Sequence, residues 1–176
     1  MSDLLARSAQ GLESLNRTVG RVVRWAALVM VVVQFGAVVL RYVFGTNSIF
    51  VNETVLYLNA AFFMLGAGYT LLVDGHVRVD ILYGEASARR KAWTDLLGTL
   101  AFLFPAMGAL AWYTWNSTVN SWAILEGPIS VGGVPASFLL KSLIPAFCLL
   151  IAIQGLALIL RCIAVLLGGE RAGEGA

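Results

Sequence analysis

Few residues of this chain have the type and spacing to do chemistry, and they stand at the ends of apolar runs. Asp74, His76 and Asp80, with Arg78 between them, are the nearest approach to a metal-ligating set. They follow an uncharged run and open on Gly75, so a solvated, capped loop accounts for them and no metal is expected. His76 is the single histidine, and a bis-histidine haem cannot be built within one chain. Cys148 and Cys162 are the two cysteines. Fourteen helical residues would hold them roughly 21 Å apart, too far for a disulfide, and they read as small buried apolar residues. Arg41 and Glu53 flank one short polar turn, and Lys141 precedes Pro145 by four residues. No glycine-rich phosphate loop, metal-spaced cluster or nucleophile–base set accompanies them. Neither catalysis nor a cofactor is expected.

The elements that position these residues follow from composition. The chain has 176 residues, 59% hydrophobic and only 12% charged, about half the charge of a soluble domain. The reading is an all-α integral membrane protein, a single domain of four transmembrane helices at about residues 25–44, 53–73, 96–115 and 138–167. Residues 54–73 are uncharged, and twenty helical residues span about 30 Å, the hydrocarbon thickness of a bilayer. A net charge of +2 is too small to argue for nucleic acid.

Residues 1–24 carry Arg7, Arg17, Arg21 and Arg24 before any long apolar run, which is not a usual signal peptide. Leu4, Leu5, Leu12, Leu15 and Val19 recur at helical spacing. Either an amphipathic helix lies on the membrane surface here, or the stretch is a polar lead-in that orients the first span. Asn52 is expected to cap the second helix, with Glu53 in its first turn against the positive dipole end. Gly75 is expected to end that helix in a left-handed conformation. Arg41 and Glu53 either act separately, as a snorkelling base and a dipole acid, or pair with each other or with another subunit. In the third span Gly98, Ala101, Pro105, Gly108 and Trp112 share a face that permits close helix approach, and Pro105 should kink it by removing a hydrogen bond to Ala101. Pro145 should bend the start of the fourth. Residues 168–176 read as a flexible tail.

Arg7, Arg17, Arg21, Arg24, Arg78, Arg89, Arg90, Lys91, Arg161 and Arg171 fall on one side, leaving only Arg41 and Lys141 for the other. The positive-inside rule therefore puts both termini in the cytoplasm. A transporter that works alone usually buries ionisable groups near mid-membrane. All four span centres lack charge. Gln34, Asn59, Thr99 and Gln154 are the polar groups within them and read as interhelical hydrogen-bonders.

The pattern resembles the small membrane subunit of tripartite ATP-independent periplasmic (TRAP) transporters. The resemblance rests on Leu40-Arg41-Tyr42-Val43-Phe44 closing span one, Glu53 opening span two, and Gly66-Ala67 late in it. Gly75-His76-Val77-Arg78-Val79-Asp80 is its most specific piece, and Pro135, Lys141 and Ile144-Pro145 fit as well. It covers about residues 25–160. One departure stands at the start of span two, where Phe50 is near a place often held by Trp and Asn52-Glu53 replaces an acidic pair.

The resemblance implies a small permease subunit in the bacterial inner membrane. It would scaffold a large multi-span permease subunit during sodium-coupled uptake of an organic acid delivered by a periplasmic binding protein. Arg41, Glu53, Gly75, His76, Arg78, Asp80, Lys141 and Pro145 are the candidate contact or structural residues. The alternatives are a membrane-anchor subunit of a respiratory enzyme and a stand-alone small exporter. Within residues 75–80, Val77 and Val79 alternate with the polar side chains. That suits either a capped loop with local pairing or a strip docked on the large subunit.

Overall fold

A computed structural model of the chain describes residues 2–76 and 86–167. These form four helices: α1 Ser2–Val43, α2 Ile49–Leu72, α3 Ala88–Ala123 and α4 Ser137–Leu166. All four are long and apolar enough to cross a membrane, and the described residues contain no strand. Arg78, Asp80 and the tail from 168 lie outside the described residues.

α4 is the hub, packing on each of the other three helices; α1 and α2 pair with each other, and α3 packs chiefly on α4. The reason is in its side chains. Gly155, Ala157, Cys162 and Ala164 are buried on it, and small residues let backbones approach closely where lipid gives no hydrophobic drive. A Cβ at Gly155 would lie 3.0 Å from Leu103 Cδ2 and 3.4 Å from Thr99 Cγ2. Gly68 of α2 is closed in by the Asn16 side chain and by Leu150 Cβ at 3.2 Å, and Gly20 of α1 by the Tyr69 ring. The glycines expected to serve this purpose do not: Gly98 and Gly108 have nothing within 4 Å of a Cβ, and Trp112 is exposed. That face of α3 points away from the rest of the chain.

Residues 2–24 make no separate surface element. They continue unbroken into α1, and Ala9, Glu13 and Asn16 on their inner face are buried. The stripe that packs on the other helices is Glu13, Asn16 and Gly20 rather than the apolar residues of the amphipathic pattern: Leu12 and Val19 are half-buried and Leu15 is exposed.

Two helix ends differ from expectation. α2 starts earlier, with Ser48 as N-cap accepting from the Val51 N–H, and Asn52 donates to Asn47 Oδ1 at 3.0 Å instead. Glu53 is thus beyond the first turn. At the other end Asp74, not Gly75, takes the left-handed conformation (φ 56°). Asp74 N–H donates to Leu71 O and Gly75 N–H to Thr70 O, the paired 5→2 and 6→1 bonds of a Schellman cap. α3 ends identically, with Leu125 at φ 46° and Glu126 N–H donating to Ser121 O.

Both prolines within helices, Pro105 and Pro145, are accommodated. The turn before Pro105 widens into a π-turn, Thr99–Leu103, within α3, as expected where a proline disrupts the i→i−4 ladder. Pro145 lies inside α4 and cannot donate to Lys141 O. Thr118 Oγ1 of α3 reaches that carbonyl at 3.5 Å, the outer limit of a hydrogen bond.

Candidate functional site

The charged and polar side chains gather at two levels of the bundle. The first is the end holding the N-terminus of α2, capped by the loop of residues 124–136. Glu53 is buried, 8% exposed. Its Oε1 accepts the Ser130 N–H at 2.9 Å and its Oε2 the Val134 N–H at 2.8 Å. Gly133 sits directly against the carboxylate, with no room for a Cβ. A carboxylate is suited to this because it is acceptor-only, with two oxygens for two backbone donors. The loop is therefore folded onto α2 rather than hanging free.

The same loop is tied to α4. Lys141 Nζ donates to Glu126 Oε2 at 2.5 Å, and Ser121 Oγ donates to the same oxygen. Lys141 first, and then Ser121, hold the Glu126 carboxyl below its ordinary value of 4.5. Ser137 Oγ donates to Gly127 O at 2.5 Å, and Trp122 Nε1 to Ser142 Oγ at 2.7 Å.

The second level lies towards the chain's N-terminus. Glu13 is 1% exposed, and Arg161 Nη2 lies 2.7 Å from its carboxylate oxygens, donating to Oε2. Arg17 stands further off, at 3.9 Å. One turn along α1, Asn16 Nδ2 donates to Leu150 O at 3.2 Å and to Gln154 Oε1 at 3.1 Å. A buried carboxylate and a buried amide thus fix α1 to α4.

Several expected residues come together and others do not. Lys141 and Glu53 both serve the loop 124–136. Arg41 is exposed and has no ion pair among the described residues, so it does not pair with Glu53. Gly75 and His76 are exposed at the end of α2; Arg78 and Asp80 lie outside the described residues. Of the four polar groups expected within the spans, Gln154 bonds across helices and Thr99 is buried against α4, while Gln34 and Asn59 face outward.

The Glu13–Arg161 and Asn16–Gln154 contacts escaped sequence reasoning. Residues 1–24 read as a stretch outside the bundle, so Glu13 was one polar residue among many. The partners of Glu53 escaped it too, because they are backbone groups. The Gly132-Gly133 pair, in a loop with one charge, is the only signal that could have pointed there.

The family model described as "Tripartite ATP-independent periplasmic transporters, DctQ component" matches residues 30–165. No curated protein and no solved structure matches the chain.

Proposed function

Because the chain belongs to the DctQ family of tripartite ATP-independent periplasmic transporter components, we propose that it is the static small subunit of such a transporter. In this reading it braces a large permease subunit in the bacterial inner membrane. That subunit takes up an organic acid from a periplasmic binding protein at the expense of a sodium gradient. Both termini face the cytoplasm, and Gly75 and His76, with Arg78 and Asp80, contact the large subunit there.

One observation carries the scaffold role. The buried carboxylates of the described residues, Glu13 and Glu53, are both taken up by bonds that fix one part of this chain to another. Groups held so cannot exchange partners with a moving ion or anion without breaking the bundle, whereas a brace needs just such fixed joints.

The test is co-expression of the tagged chain with its large subunit, purification, and reconstitution with binding protein. Substrate uptake should require both membrane subunits and a sodium gradient. Uptake by the large subunit alone at the full rate would overturn the reading. Reporter fusions at Gly175 and in the loop at Gly127 should report opposite sides of the membrane.

A further inference from the structure

α1 carries Arg17, Arg21 and Arg24 at steps of four and three, one helical face. They line a groove of about 430 Å³ whose opposite wall is α2, with Phe62, Phe63 and Tyr69. Arg21 and Arg24 are exposed and have no acidic partner among the described residues; Arg24 lies 5.7 Å from the Trp25 ring. Arg17 is 57% exposed and only loosely paired.

Two rulers place these arginines at different depths. By α1 alone, Arg24 marks the membrane boundary, since the uncharged run begins at Trp25. Its neighbours disagree. Val23 lies against Gly66, seven residues or about 10 Å inside the end of the uncharged run of α2. Asn16 bonds Gln154, about 10 Å inside Arg161 on α4. The guanidiniums therefore open onto a groove whose far wall is apolar and at membrane depth. Phe63 is 65% exposed on that wall.

We propose that this groove binds the phosphodiester of an anionic phospholipid, with an acyl chain laid along Phe62, Phe63 and Gly66. Guanidinium forks bind phosphate oxygens in pairs, and basic pockets between membrane helices suit anionic headgroups. A soluble phosphate has the same headgroup chemistry but makes no use of the aromatic wall.

Native mass spectrometry of the full chain in mild detergent tests this, using phosphatidylglycerol and phosphatidylcholine at equal concentration. Phosphatidylglycerol should be retained preferentially. Arg21→Gln and Arg24→Gln should each lower its occupancy about five-fold with helicity unchanged, while Arg41→Gln, at the other end of α1, leaves it unaltered. Phe63→Ala should weaken phosphatidylglycerol but not inorganic phosphate. Equal retention of the two lipids would overturn the proposal. So would competition by inorganic phosphate or a soluble dicarboxylate at concentrations equal to the lipid's. Loss of the co-expressed large subunit from Arg21→Gln and Arg24→Gln, with lipid retention intact, would assign the groove to a protein partner instead.

Discussion

Glu53 and Gly133 make a contact that can be taken apart one atom group at a time. Glu53→Ala leaves the Ser130 and Val134 N–H groups without an acceptor. Hydrogen bonds to a charged group contribute about 1.5–3 kcal/mol each, so the loss of two is roughly 3–6 kcal/mol. Glu53→Gln keeps one carbonyl oxygen for one N–H but turns an NH2 towards the other, a cost of about 2 kcal/mol. For a chain of this size each kcal/mol moves the unfolding midpoint by about 2–4 °C. Gly133→Ala forces a methyl into the carboxylate and should cost about as much as Glu53→Gln. With Glu53→Ala already in place that methyl has room, and Gly133→Ala should then cost less than about 0.5 kcal/mol. The assay is the thermal midpoint of the full chain in one detergent, read for both single variants and the double. A coupling of 1–2 kcal/mol is expected for groups in contact. If Gly133→Ala costs the same with and without the Glu53 carboxylate, the contact does not hold the loop and the reasoning fails.

Arg161→Ala leaves the buried Glu13 charge with only the distant Arg17; breaking a fully buried pair costs about 3–5 kcal/mol, and because the Arg161 side chain is 47% exposed the loss should fall below that range, with Glu13→Gln combined with Arg161→Gln recovering at least half of it, measured by the same midpoint. The Glu126 carboxyl is held below its ordinary value of 4.5 by Lys141, so its contribution is fully present above pH 4.5 and is lost as pH falls through the lowered value. The midpoint difference between the native chain and Lys141→Gln should therefore be constant at neutral pH and close at acid pH. A difference that grows on acidification would contradict the assignment. Leu125 is left-handed at φ 46°, a conformation costing about 1–2 kcal/mol for residues with a Cβ. Leu125→Gly should raise the midpoint and Leu125→Val, with its branched Cβ, should lower it.

The fold class was legible because bilayer thickness imposes its own period. Runs such as residues 54–73 have one use, and turn residues mark where they stop. What could not be read was which faces meet. Gly98 and Gly108 have the same small-residue spacing as a packing face, yet Gly20, Gly68 and Gly155 are the ones in close contact. Sequence spacing gives a face but not its occupant. Cap geometry slipped by one residue, from Gly75 to Asp74, because both tolerate the end of a helix and only the 6→1 bond to Thr70 decides between them. The partners of Glu53 were invisible for another reason: backbone N–H groups of Ser130 and Val134 carry no side-chain signature. Arg41 was legible as a charge at an interface and no further, since nothing within the described residues engages it.

The position of α4 in the chain also bears on how the protein is made. It is the last of the four helices to leave the ribosome and the one on which all the others pack. α1 and α2 can pair as soon as α2 emerges, but α3 has no substantial neighbour until α4 arrives. At roughly 5–20 residues per second, the interval between the end of α3 and the end of α4 is about 2–9 s. During it, the Gly155-facing side of α3, with Thr99 and Leu103, is open to lipid or to the insertion machinery. Arrest or truncation before α4 would strand three helices with no shared partner, the sort of intermediate that membrane proteases remove. Nascent chains halted after residue 136 should therefore be degraded faster than chains halted after residue 166.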